Sequence, residues 1–281
     1  MSNPSPPKNG TARVADLFNR VAPVYDSEPL RFFPLSADRL VEWLRIPPGA
    51  KVLDIAAGTG AVTIAAARAV GPRGHVTAID IAERMLERAQ TRIARAGMGN
   101  VDFHLMDAQA LAFQPNAFDF VLCGFGLFFL PDMTRALTDW VRVAKPGGAV
   151  AFTAFADDAF LPQADLFADR LQALGMQFDT PRFAWWRLRD ANTVRALVAA
   201  AGLDEVEIHT QQMGYCLPNA EGWWDVVWNS GFRGFVERLP LDARAAFKAA
   251  HLADIERLAT EAGLALSLPI HFVRGRKPGR K

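Results

Sequence analysis

Between residues 51 and 155, short apolar runs alternate with segments whose apolar residues recur at helical spacing. Strand candidates fall at 52–55, 75–79, 101–106, 118–123 and 149–155, and helix candidates at 61–70, 83–96 and 132–144. In the last helix Leu137, Trp140, Val141 and Ala144 share one face. "KPGG" at 145–148 is expected to end it, because proline cannot continue a helix and glycine accepts the left-handed turn. This rhythm dictates βαβ units around a parallel sheet, an α/β fold with helices on both faces.

Beyond residue 155 the rhythm changes. Residues 156–189 are rich in phenylalanine, proline and tryptophan without a clear strand, and a helix (191–201) and a strand (205–212) follow. The segment after them holds "EGWWDVVWNSGFRGF" and an amphipathic helix around 242–260, and "LALSLPIHFVRGRK" reads as one strand running into a basic end. The expected organisation is a disordered tail (1–10), an N-terminal helical cover (11–47) and an α/β core (48–156). An aromatic insertion (157–189), a core helix and strand (190–212), a helical aromatic insertion (213–263) and a final core strand with a basic tail (264–281) complete it.

The 281 residues, about half of them apolar, suffice for a sizeable core. A formal net charge of +1 lacks the basic excess that nucleic-acid binding normally uses, so no nucleic-acid partner is expected. The opening "MSNPSPPKNG" has no apolar region of a signal peptide, and no stretch approaches a membrane span. Two cysteines, Cys123 and Cys216, make neither a disulfide framework nor a Cys-type zinc site, and no H-x-x-x-H or C-x-x-C appears. The expectation is a soluble, cytoplasmic chain with no bound metal.

"VLDIAAGTG", residues 52–60, joins the first strand to the first core helix. Gly58 and Gly60 let backbone N–H groups approach a ligand, and Thr59 is small enough not to block it. Asp80, at the end of the second strand and 22 residues beyond Gly58, is placed to accept both hydrogen bonds of a ribose diol. Two nucleoside ligands share this geometry. A nicotinamide dinucleotide wants G-x-G-x-x-G/A, but "GTGAVT" and "AAGTGA" match it imperfectly. S-adenosylmethionine has no phosphate and carries an ammonium group and a sulfonium. Asp54 favours it, since a buried anion beside a pyrophosphate is repulsive. Asp107 and Ala108, after the third strand, are placed to meet the adenine edge, and Cys123 and Gly124 to line the cofactor's methionine side.

"VAPVYD" (21–26), "VLDIAAGTG", "TAIDIAERML" (77–86), "FHLMDAQAL", "FGLFFLPD" (125–132) and "KPGG", in this order, resemble the class I S-adenosylmethionine-dependent methyltransferases. The chain is most similar to the ubiquinone/menaquinone-biosynthesis (UbiE-type) methyltransferase family over residues 21–155, plus the terminal "FVRGRK". The resemblance implies a doubly wound, seven-stranded Rossmann-like sheet of order 3-2-1-4-5-7-6 with the last strand antiparallel. The implied cofactor is S-adenosyl-L-methionine, released as S-adenosyl-L-homocysteine, bound at the carboxyl ends of the strands. Two features depart from the quinone enzymes: the long aromatic segment, and Phe128–Phe129 where those enzymes carry an arginine–asparagine pair after "FGL".

The expected cofactor set is Tyr25, Asp54, Ala56, Gly58, Thr59, Gly60, Asp80, Ile81, Met85, Asp107, Ala108, Cys123 and Gly124. Tyr25 and Asp26 are expected to cover it. Five of the seven tryptophans lie in the insertions. Their plainer use is as the insertions' own core. Their sharper use is to wall an apolar pocket for a small-molecule methyl acceptor, with Phe128, Trp185, Trp186, Trp224 and Trp228 as candidates. His209 and Tyr215 are the catalytic candidates, with His271 a third possible base, although alignment and desolvation alone can carry a methyl transfer. The insertions are equally suited to a lid and to the surface of a homodimer. Rival readings are a methyltransferase fold using its sulfonium in a cyclisation or decarboxylation, a nicotinamide-dependent oxidoreductase, and a non-catalytic binding module.

Overall fold

Lys51–Ile55 (β1) is the hub of the fold, because its four inner residues are all buried and it pairs in parallel with a strand on either side. The structure, a computed structural model, describes residues 10–279; the expected tail therefore lies, but for Gly10, outside the described residues. Gly10 already begins a helix, Gly10–Val21 (α1), and Phe32–Leu44 (α2) follows. After β1 come Ala61–Val70 (α3), His75–Asp80 (β2), Glu83–Arg95 (α4), Val101–Leu105 (β3), Phe118–Gly124 (β4), Met133–Val143 (α5) and Ala144–Phe155 (β5). Each helix owes its place to its pattern. The alanine-rich α3 is buried almost all round, between the sheet and α2, whereas α4 buries only the stripe Met85, Leu86, Ala89 and Ile93.

The remaining elements are Gln163–Ala173 (α6), Ala191–Ala200 (α7), Asp204–Gln212 (β6), Tyr215–Leu217 (β7), Ala220–Trp228 (α8), Arg233–Val236 (α9), Leu241–Glu256 (α10), Leu264–Leu266 (β8) and Pro269–Arg276 (β9). The seven-stranded sheet runs β3-β2-β1-β4-β5-β9-β6, with β9 antiparallel to both β5 and β6. This is the expected order, with β9 as its seventh member.

Two local expectations are corrected. The "LALSLPIHFVRGRK" segment is two strands rather than one. Leu264–Leu266 pairs with Tyr215–Leu217 as a separate ribbon, and only Pro269–Arg276 enters the sheet. "KPGG" also does more than stop α5. The helix ends at Val143, and Lys145–Gly148 forms the irregular start of β5, where the register against β4 shifts between Phe118 and Phe120. A Cβ on Gly148 would lie 2.9 Å from the Asp119 carbonyl oxygen, so close backbone approach demands glycine there.

The insertions form their own aromatic core continuous with that of the sheet. Phe183 stacks on Trp185 at 4.2 Å between centroids, and Phe232 packs against Trp185, Trp223 and Phe167. Trp223 is fully buried and donates its indole N–H to His251 Nε2 at 2.8 Å. His251 is therefore a neutral acceptor, and burial, reinforced by Arg170, pushes it down to about 4. Because the unfolded chain takes up this proton near pH 6.5, His251 stabilises the fold above that pH and ceases to do so as pH falls towards 4. The buried Asp54 carboxyl, shifted upward, acts in the opposite sense, so the effect is isolated as a difference. The stability advantage of the wild type over His251→Gln, from denaturant titrations, is expected to shrink by about 3 kcal/mol between pH 7.5 and pH 4.

Candidate active site at the carboxyl ends of the strands

At the carboxyl end of β1 the chain turns through Ala56, Gly58 and Gly60, all at positive φ. A Cβ on Gly58 would meet nothing within 4 Å, so the loop presents bare backbone to open space. Gly60 does a different job. It starts α3, and a Cβ there would press on Ala89 of α4 at 3.1 Å. Arg92 locks the loop from outside, its Nη1 donating to the Thr59 carbonyl and to Asp26 Oδ1, each at 2.8 Å, while the Thr59 hydroxyl donates to Asp26 Oδ1 at 2.6 Å. Asp26 thus fastens the N-terminal cover to the loop.

Asp54 lies on β1 in register with Ala78 and Leu122, and is fully buried. Its Oδ2 accepts from the Thr63 hydroxyl at 2.5 Å, whereas its buried Oδ1 has no partner. Burial, and then the charge of Asp80, pushes this carboxyl up to about 7. Asp80 at the end of β2 accepts from the amides of Gly58 and Ala82, each at 2.8 Å; burial raises it and these bonds oppose the rise. Asp107 accepts from the Gln109 amide at 2.9 Å, forming the turn after β3.

Three adjoining cavities meet at Tyr25 and Phe125, which line all of them. The first, about 150 Å³, is lined by Asp54, Ala56, Gly58 and Thr59 together with Thr153. The second, about 90 Å³, joins Asp80, Ile81 and Met85 to Asp107, Ala108 and Gly124. The third, about 330 Å³, is walled by phenylalanines of the cover, of β4–β5 and of the insertions. Tyr25 stacks on Phe33 at 4.9 Å. Its phenol, a hydrogen-bond donor at neutral pH in any case, is pushed further upward by burial and by Asp80 and Asp26.

Most of the expected cofactor set therefore gathers on the first two cavities. Gly60 and Cys123 do not line them, and Cys123 is buried behind the cleft, its thiol pushed upward by that burial. Of the expected pocket residues, Phe128 and Trp185 line the third cavity. Trp186, Trp224 and Trp228 do not: Trp224 stacks on Trp228 at 6.2 Å, and Arg233 lies over Trp228 at 4.5 Å.

The catalytic candidates are not brought to the cleft. His209 is exposed on the edge strand β6. The Tyr215 hydroxyl donates to the Pro29 carbonyl at 2.7 Å, with Arg31 over its ring at 3.5 Å, and burial pushes it up to about 12. His271 has both ring nitrogens engaged, with the Thr210 hydroxyl at 2.7 Å and the Arg189 carbonyl at 2.8 Å. Sequence reasoning missed Phe18, Phe33, Phe125, Phe129, Phe155 and Phe160, which wall the third cavity. "GFG" around Phe125, a phenylalanine at φ 56 between two glycines, was the local signal.

A family model described as the ubiE/COQ5 methyltransferase family matches residues 7–220. Nocamycin O-methyltransferase of Saccharothrix syringae is 30% identical over 273 residues, covering 92% of this chain and 97% of that protein. Demethylmenaquinone methyltransferase of Listeria monocytogenes serotype 4a is 35% identical over 147 residues, covering 50% of this chain but only 60% of that protein. In fold, the [4+2]-cyclase SpnF superimposes with a TM-score of 0.58 at 20% identity, over 99% of this chain and 100% of that one.

Gly126 closes the back of the cleft, and a Cβ there would lie 2.6 Å from Ala56 Cβ and 2.8 Å from Cys123 Sγ. Gly126→Ala is expected to lose ~1–3 kcal/mol in denaturant titration, the cost of forcing a methyl group into a closed contact.

Proposed function

The chain belongs to the ubiE/COQ5 methyltransferase family, and from that premise we propose that it transfers a methyl group from S-adenosylmethionine to an oxygen of a small apolar or aromatic acceptor. One observation carries this reading: Asp54, whose buried Oδ1 has no partner, lines the same cavity as the glycine loop. A buried acceptor without a partner costs ~1–3 kcal/mol, and a cationic group of a ligand supplies the partner. The negative end of a pyrophosphate would not.

In this assignment Asp54 holds the amino-acid end beside the open face of the glycine loop, Asp80 the ribose, and Asp107 with Ala108 the adenine edge. When bound, S-adenosylmethionine supplies an electrophilic methyl group on sulfur. Tyr25 and Phe125, shared by all three cavities, mark where that methyl group would meet the acceptor. The phenylalanine wall excludes water and holds the acceptor's apolar body, as ligand pockets generally do. No histidine lines this cavity among the described residues, so the wall's contribution is alignment and desolvation, with the protonated Tyr25 as a donor. The near-full-length likeness to a protein named as an O-methyltransferase supports oxygen as the methylated atom.

No helix among the described residues is long and apolar enough to cross a membrane. We place the protein in the cytoplasm, acting on a dissolved metabolite.

Side-by-side thermal shift and calorimetry with S-adenosylmethionine, S-adenosylhomocysteine and NADPH test the cofactor. Stabilisation by the first two alone is expected. Stabilisation by NADPH alone would replace this reading with an oxidoreductase. With a turned-over acceptor, product mass decides the reaction: gain of one CH2 with a methoxy resonance is expected, and an isomer of unchanged mass would mean cyclisation.

Asp54→Asn is the cleaner residue test, because Asp80 also ties down the loop. It is expected to weaken S-adenosylmethionine ~10–100-fold in calorimetry, with the unliganded melting temperature unchanged or raised. As the Asp54 carboxyl sits near pH 7, wild-type affinity is expected to fall as pH drops from 8 to 6, when the carboxylate is protonated, and this dependence is expected to vanish in the Asn variant.

A further inference from the structure

We infer that Arg187 is a positioning residue that joins the cofactor cleft and the acceptor cavity into one cooperative unit. The inference rests on the proposed assignment of those two spaces. Arg187 belongs to the 3-10 turn Ala184–Leu188 of the first insertion. Its Nη1 donates to the carbonyls of Phe128 at 3.0 Å and Leu130 at 2.7 Å, and its Nη2 donates to that of Pro131 at 3.1 Å. No carboxylate among the described residues pairs with it, and desolvation is the one influence on its basicity.

The three carbonyls lie at and just beyond the C-terminal end of the short turn Leu127–Phe129, where acceptors otherwise go unpaired and partial negative charge collects. A guanidinium suits this place because its planar fork reaches several carbonyls at once, whereas an ammonium is a point charge. Arg187 therefore ties down, from another part of the chain, the carbonyls with which this loop closes.

That loop is two-sided. Leu130 and Pro131 line the Asp80–Asp107 compartment, Phe128 lines the large cavity, and Phe129 lines both. Arg187's own turn also carries Trp185, which lines the large cavity and packs on Phe183, Phe155 and Phe160. A ligand that orders the loop from the adenosine side therefore orders, through Arg187, the Trp185 wall of the acceptor side. Such coupling is reciprocal: an occupant of the large cavity equally favours the cofactor.

The full chain is titrated with N-phenyl-1-naphthylamine, a neutral fluorescent apolar probe, with and without saturating S-adenosylhomocysteine. In the wild type the cofactor product is expected to tighten the probe about fivefold or more. In Arg187→Met and Arg187→Lys that factor is expected to fall below about twofold, while each ligand alone stays within about threefold of wild type. Lysine restores charge but not the fork, so retention of coupling in the lysine variant would assign the effect to charge and overturn the inference. Persistence of coupling in both variants, absence of coupling in the wild type, or displacement of the probe by S-adenosylhomocysteine would overturn it as well. Failure of S-adenosylhomocysteine to bind the wild type at all, read in its own calorimetric titration, would instead bring down the cofactor assignment beneath it. Melting temperatures of both variants report whether the clamp also carries the fold.

Discussion

A single carboxylate in the middle of the sheet organises this protein. Asp54 stands on the central strand between Ala78 and Leu122, where burial makes its charged form costly. The Thr63 hydroxyl, from the first turn of the helix that follows, satisfies one oxygen and leaves the other bare. The strand, the glycine loop and α3 thus bring a half-satisfied carboxyl and a loop of small residues to one opening.

The surrounding parts make that opening a site. Asp80 is held from two sides by backbone amides, so its carboxylate is preoriented before any ligand arrives. Asp26, Thr59 and Arg92 tie the N-terminal cover to the loop and set Tyr25 where three cavities meet. Phe125 reaches the same junction by adopting φ 56, a conformation unfavourable for an aromatic residue. Gly126 follows it because no Cβ fits between Ala56 and Cys123. Close packing behind the cleft underwrites the strained phenylalanine in front of it.

The insertions divide their aromatic residues between two uses. Trp223, Phe167 and Phe247 surround His251 and build a core for the added helices. Trp185, Phe232 and Phe160 face the cavity and also pack on one another. The same rings that close the cavity therefore hold the insertion to the sheet, and Arg187 extends this attachment to the loop after β4.

The sheet order, the glycine loop and the gathering of Asp54, Asp80 and Asp107 at strand ends were legible in the sequence. The order came with the resemblance to the methyltransferase family, whereas the loop and the carboxylates follow from local patterning, since a strand's apolar run fixes which residue stands at its end, and parallel βαβ units place those ends on one edge. The acceptor side was not legible in the same way. Trp224 and Trp228 look no different in sequence from Trp185, yet only Trp185 lines the cavity, and His209, Tyr215 and His271 all lie away from it in contacts of their own. Aromatic clusters carry no period that says which face is wall and which is core. That division comes from packing between segments far apart in the chain. By itself the sequence determined an α/β sheet whose strand ends gather a glycine loop and three carboxylates. Only the tertiary structure decided which phenylalanines close over it, because side-chain burial in the insertions depends on long-range contacts that no local spacing encodes.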